Sequence, residues 1–183
     1  MANVFDVANY ILESIGGKIS TYQLQKLCYY SQAWTLAWRK TPLFEEDFEK
    51  WDNGPVCKEL FDLHKGRLYV SASIIPKNKL TNKFDCCERM YIDNVVESYG
   101  KYSGAQLSTL SHSEEPYKKA KRNGVINKEH MEAFYSSLSD CPIRYNEETE
   151  LAIAEGKQLT DDIISGKVTA FNSIEDMLKD LNA

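Results

Sequence analysis

Between Ser20 and Val56 the chain reads STYQLQKLCYYSQAWTLAWRKTPLFEEDFEKWDNGPV, and all three tryptophans lie in this stretch. Leu24, Leu27, Cys28, Ser31, Trp34 and Trp38 follow at spacings of three and four, the stripe that an amphipathic helix turns to a core. Tyr29, Ala33, Leu36 and Ala37 form a second apolar row on its other side. A helix apolar over most of its circumference has to be covered by several neighbours. Ser20 and Gln23 stand in capping-box spacing, which predicts that this helix begins at Thr21.

The flanking pattern predicts further helices. Val7, Ala8, Ile11 and Leu12 define one over about residues 4–14, capped by Asn3 and stopped by Gly16-Gly17. Leu43, Phe44, Phe48 and Trp51 run through an acidic segment after Pro42, as in an irregular turn or a short strand near 48–51. Asp52-Asn53-Gly54-Pro55 is a turn signal, and Pro55 suits the first position of a helix with Val56, Leu60, Phe61 and His64 on one face. Residues 66–84 read as a loop with a brief strand at about 68–70. A helix over about 84–98 presents Cys87, Met90, Tyr91 and Val95. Ser103 and Gln106 repeat the capping spacing before a short helix bearing Leu107 and Leu110. Pro116 suits the start of another helix, and Asn127 caps one with Met131, Phe134, Tyr135 and Leu138 as its stripe. The expected fold is a mostly α domain of about six helices with minor β, over residues 1–139.

From residue 140 the texture changes to short amphipathic pieces separated by breakers. Residues 167–171 alternate as a short strand would, and Ser173 caps a final helix bearing Ile174, Met177, Leu178 and Leu181. We expect residues 140–183 to form a separate strand-helix appendage. Charge sharpens this boundary. Residues 1–139 carry 18 Lys/Arg against 17 Asp/Glu, whereas residues 140–183 carry 4 against 10, so the acidity behind the net charge of −5 lies in the appendage. Such a segment repels nucleic acid and membrane phosphate and attracts a basic partner.

A hydrophobic content of 43% fits a folded protein, while no apolar run approaches the roughly 20 residues of a membrane span. Asn3, Asp6, Asn9 and Glu13 interrupt the first apolar residues, against a signal peptide. Five cysteines, an odd number that includes the adjacent Cys86 and Cys87, do not form a secreted disulfide framework. The expectation is a cytoplasmic protein without membrane contact, with Cys28 and Cys57 as small buried hydrophobes. No CxxC or HxxxH spacing supports a metal, and no cofactor is expected.

Candidate chemistry is sparse. No GxxxxGK[ST], GxGxxG or GxSxG motif occurs. Cys57 with His64 is one pair to weigh as thiolate and imidazolium; His112 with Glu114 or Glu115 is another, as acid and base. Each is weighed against a structural role, which for the histidine group is the organisation of a helix start. Lys118, Lys119, Lys121 and Arg122 form the one basic patch, without interleaved aromatic residues, so nucleic acid is weakly supported as a partner. Trp34 and Trp38 read as core, and Tyr29, Tyr30 and the Trp51-Asp-Asn-Gly-Pro corner as candidates to edge a groove.

The order of these elements resembles a known family. ISTYQLQKLCYYSQAWTLAWRKTPLFEEDFEKWDNGPVCKELF is similar to the signature of the Panacea (SocA-like) antitoxin domain, in which a LQKLLYY-type helix, a PLF segment and an AWxxGPVxxxLY-type corner follow one another. LSTLSHSEEPYKKAK resembles its second signature, a THxExPW-like element. The resemblance covers about residues 3 to 138. Ser111 stands for the usual Thr, Tyr117 for the usual Trp, and Lys40 where a glycine often precedes the PLF segment. The signature residues are Leu24, Gln25, Lys26, Leu27, Tyr29, Tyr30, Trp34, Trp51, Gly54, Pro55, Val56, His112, Glu115 and Pro116, read as scaffold.

The resemblance implies neutralisation of a cognate protein toxin by direct binding, with no catalytic residues and no cofactor to carry over. It also implies two alternatives to weigh: a proteolytic adaptor that delivers its toxin to an ATP-dependent protease, and, with the basic patch in view, a DNA-binding regulator of its own operon. A homo-oligomer is compatible with each. GKVTAFNSIEDMLKDL resembles the C-terminal toxin-wrapping segments of RelB/DinJ-type antitoxins. On that likeness Val168, Phe171, Ile174, Met177, Leu178 and Leu181 are the expected toxin-binding anchors.

Overall fold

A computed structural model describes residues 2–81 and 83–138. The appendage expected over 140–183, with its six apolar anchors, lies outside the described residues. The domain is mostly α with minor β, built from seven α-helices and two small antiparallel sheets among the described residues.

Helix α1 (Val4–Ile15) begins in a capping box: the Asn3 side chain accepts from the Asp6 amide, and the Asp6 carboxylate accepts from the Asn3 amide. Asp6 also accepts from the Thr81 amide at 2.7 Å, which ties the 71–81 segment to the helix start. Gly16, at φ 69°, ends the helix.

Helix α2 (Thr21–Arg39) is the axis of the domain. Every residue from Leu24 to Leu36 is buried, polar residues included, and the two apolar rows emerge to half-burial only at Ala37 and Trp38. The covering neighbours are α1, α4 (Cys86–Tyr99), α5 (Gly104–Ser113) and α7 (Lys128–Ser136). Ser20 caps the Gln23 amide as expected. The Gln23 side chain does not close the box; it donates to the Gly100 and Tyr102 carbonyls, both at 2.9 Å, and so joins α2 to the α4–α5 turn. Trp34 and Trp38 stack at 5.5 Å, with the Trp34 indole donating to the Tyr99 hydroxyl.

Strand β1 (Ile19–Ser20) pairs with β4 (Tyr69–Val70), and β2 (Phe48–Trp51) pairs with β3 (Gly54–Cys57). The second pairing corrects the expected helix start at Pro55, since α3 (Lys58–His64) begins three residues later. The reason lies across the hairpin. Lys50, opposite Pro55, turns its backbone outward, donating to the Gly124 carbonyl at 2.9 Å and accepting from the Asn123 amide at 2.8 Å. No ladder bond from residue 55 is required, so a residue without an N–H fits there.

Three stripes shift from expectation. The Asp85–Glu88 capping box starts α4 at Cys86 and turns Glu88, Ile92, Asn94 and Val95 inward, leaving Cys87 exposed. Leu110 of α5 and Leu138 beyond α7 are likewise exposed. Pro116 sits in the first turn of α6 (Glu115–Lys119), where a missing N–H costs no intrahelical bond. Cys28 and Cys57 are free and buried, as expected of small hydrophobes.

Candidate functional site

Three segments far apart in sequence meet on the β2–β3 hairpin. From α2, the Gln25 amide brackets the Cys57 backbone, accepting from its N–H at 2.9 Å and donating to its carbonyl at 3.2 Å. One turn position on, the Lys26 ammonium donates to the Pro55 carbonyl at 3.0 Å. From the α5–α6 region, Ser108 donates to the Asn53 carbonyl and Tyr117 to the Trp51 carbonyl, each at 2.7 Å. The LQK, WDNGPV and SHSEEPY segments are thus one hydrogen-bonded unit with the hairpin at its centre. Tyr117→Phe removes one of these bonds, to the part-buried Trp51 carbonyl. It is expected to lower stability by about 1 kcal/mol, readable in urea denaturation.

Beside the hairpin opens a cleft of about 490 Å³, within the range of ligand and anchor pockets. Its buried lining includes Gln25, Lys26, Val56 and His64, and its exposed lining includes Tyr22, Asn53, Arg67 and Leu68. Trp51 and Phe61 meet edge to face at 4.8 Å along it, and Phe61 meets His64 at 5.6 Å. Because Gln25 must offer its oxygen to the Cys57 amide, its nitrogen donates to His64 Nε2 at 2.9 Å, which fixes the ring proton on Nδ1. Burial also holds His64 below its ordinary pKa, so it stays neutral.

Charge is distributed unusually under the hairpin. Lys26 is fully enclosed with no carboxylate partner among the described residues, and burial lowers its pKa to about 7. His112 meets Tyr117 at 4.5 Å with the rings tilted by 47°, and its Nε2 is buried without a hydrogen bond among the described residues. Its pKa is lowered by burial first and then by the Lys26 and Lys50 charges. In the core behind, Glu114 accepts from the Tyr30 hydroxyl at 3.2 Å and the Tyr135 hydroxyl at 2.6 Å; burial raises its pKa to about 7.

Neither weighed catalytic pair forms. The Cys57 thiol donates to Glu59 at 3.3 Å, and burial pushes it well above its ordinary range, against a thiolate. His64 belongs to Gln25. Glu114 belongs to the tyrosines, and Glu115 is exposed and paired with Lys119 at 2.6 Å. In the basic patch Lys119 is thereby paired, and Arg122 meets Asp52 at 2.7 Å. Tyr29 and Tyr30 are wholly buried and edge no groove, whereas Trp51 does line the cleft. Leu24, Leu27 and Trp34 are core, Pro116 is buried beside Tyr117, and Gly54 lies directly over the Lys26 amine.

What the sequence did not single out is Arg67, Leu68 and Tyr22; Glu114 is named there only beside His112, with Glu115 as the signature residue, whereas the structure buries Glu114 and exposes Glu115. In the SHSEEPY element two adjacent glutamates compete for the inward position. Only the THxExPW-like spacing, which aligns with Glu114, distinguishes them.

The helical body gathers its LQK, WDNGPV and SHSEEPY segments around one hairpin. The family model of the antitoxin SocA-like, Panacea domain matches residues 24–118, and the chain belongs to that family. The match takes in all three segments that meet on the hairpin. No curated protein and no solved structure matches the chain. Among the described residues no helix is long and apolar enough to cross a membrane.

Proposed function

We propose that this protein is the antitoxin of a toxin–antitoxin pair and neutralises a cognate, basic protein toxin by direct binding. Membership of the antitoxin family is the observation that carries the reading. The body, residues 1–139, is the scaffold. Residues 140–183 supply much of the toxin contact through Val168, Phe171, Ile174, Met177, Leu178 and Leu181, set among ten acids and four bases. The apolar anchors set affinity, since burying them offsets the cost of ordering the segment, and the acids speed encounter with a basic surface.

Truncation at Asp140, with the toxin encoded beside this gene co-expressed, tests the division of labour. The truncated chain is expected to lose neutralisation and to bind the toxin about 100-fold more weakly or worse, as for removal of a hot-spot cluster. Unchanged neutralisation and affinity would defeat the tail assignment and move the contact to the body.

A further inference from the structure

Seven large hydrophobic side chains are exposed among the described residues, and four of them gather at one place. Tyr22 is 45% exposed, Leu68 74%, Tyr69 65% and Tyr102 37%. The backbone brings them together at the N-terminal end of α2. The Thr21 amide donates to the Leu68 carbonyl at 3.0 Å, Ser20 pairs with Tyr69, and Gln23 donates to the Tyr102 carbonyl at 2.9 Å. Three hydrogen-bonded chain segments therefore hold apolar side chains out in water, where their burial in the domain would have been favourable. Tyr22 and Leu68 also line the cleft, so the patch continues into it.

The polar groups of the cleft narrow what fits. Gln25 and His64 are satisfied by each other and by Cys57, so they offer an incoming group little. Asp52, the carboxylate on the lining, is held by Arg122 at 2.7 Å. Arg67 lines the cleft, is exposed, and has no ion pair with any described residue. From residue 65 to 84 the chain carries five Lys/Arg and no Asp or Glu, so the sequence around Arg67 supplies it no acid. Tyrosines around an aromatic-walled recess, with one unengaged arginine, have the composition of a protein-binding hot spot. The patch also reaches past the cleft to Tyr69 and Tyr102, further than a small ligand of the cleft's volume would cover.

We propose that the cleft and its tyrosine-leucine rim form a second, body-borne docking surface for the toxin, which seats an apolar side chain against Trp51 and Phe61 and brings a carboxylate to Arg67. This rests on the antitoxin reading and adds to the tail contact one of opposite charge. Two contacts of opposite sign give the complex an orientation that either alone leaves undefined, because the wrong docking pose sets like charges together.

The test uses the full chain and the toxin encoded by the adjacent gene, with affinity measured for Leu68→Asp, Arg67→Glu and Arg67→Lys. Leu68 and Arg67 are exposed, so the variants are expected to keep the wild-type unfolding transition. Leu68→Asp should weaken binding at least about 30-fold, as for loss of a hot-spot anchor. Arg67→Glu should weaken it about 10-fold or more and flatten its salt dependence, with Arg67→Lys between it and wild type. Affinities within twofold of wild type for all three, while wild type binds and neutralises, would overturn the docking surface and leave the antitoxin reading standing. A wild-type dimer abolished by Leu68→Asp with toxin affinity unchanged would also overturn it, by assigning the patch to a second copy. If the wild-type chain itself fails to bind this toxin, the antitoxin reading falls and the inference falls with it.

Discussion

Gly54→Ala is expected to destabilise the protein by about 3 kcal/mol, the sum of a strained backbone and an overpacked contact. Gly54 stands at φ +99°, where an L side chain is strained whatever the space around it. An added Cβ would also lie 2.6 Å from Lys26 Cε, 3.0 Å from Nζ and 3.2 Å from Ser111 Oγ. The long flexible stem of a surface lysine would move aside. Here Lys26 is fully buried and its amine is bonded to Pro55, so displacement forfeits that bond or leaves a polar group unpaired in the core. Gly16→Ala supplies the comparison: φ is +69°, but nothing lies within 4 Å of the added carbon. It should cost only about 1 kcal/mol, the backbone contribution alone. Urea denaturation of both variants reads the difference. Equal losses would show that the hairpin does not rest tightly on Lys26, and the hydrogen-bonded unit around it would lose its keystone.

How far this hairpin could be read beforehand depends on where its determinants lie. The path of α2 was legible because everything that makes it helical is local: a serine cap, a tight three-four repeat and no breaker until Pro42. The β2–β3 turn was harder. Asp52-Asn53-Gly54-Pro55 fits both a hairpin and a loop leading to a proline-started helix, and local rules favour neither. Lys50 decided it, through backbone bonds to residues 123 and 124, more than seventy positions along the chain. The inner face of α4 was misjudged for a different reason. Cys87 counted as a hydrophobe, whereas the Asp85–Glu88 box fixes the helix start and rotates the cysteine to solvent. Of the cleft, Gln25, Lys26, Trp51 and Val56 stood in motifs already quoted. Arg67 and Leu68 lay in a stretch that reads as a loop with a brief strand at about 68–70, and they reach the cleft because Val70 and Tyr69 of that strand pair with Ile19 and Ser20. A two-residue strand has too short a pattern to announce its partner.

Lys26 and Glu114 are ionisable groups buried without an ion pair among the described residues, and together they should give the protein an unusual stability profile in pH. Burial depresses the Lys26 pKa from 10.5 to about 7. Below pH 7 the folded and unfolded chains both hold its proton, and the folded state bears the full cost of the enclosed ammonium, about 4–5 kcal/mol. As pH rises from 7 toward 10.5 only the unfolded chain keeps the proton, so stability rises across that window. Glu114 has the opposite sense, with its pKa raised from 4.5 to about 7. Its contribution is complete below pH 4.5 and is lost as pH rises to 7, a loss of about 3 kcal/mol, because only the unfolded chain ionises freely there. The two groups therefore place a minimum of stability near neutrality, with a falling limb owed to Glu114 and a rising limb owed to Lys26. Lys26→Met keeps the apolar stem and removes the charge. Relative to wild type it should gain stability at pH 6 and surrender that gain steadily toward pH 10, offset throughout by the lost bond to Pro55. Glu114→Gln should flatten the limb between pH 4.5 and 7 while leaving the alkaline limb intact. Denaturation midpoints across pH 5–10 separate the two limbs. A Lys26→Met curve parallel to wild type above pH 7 would mean that the amine is solvated in the folded protein, and that the hairpin packs less closely on α2 than Gly54 and Pro55 require.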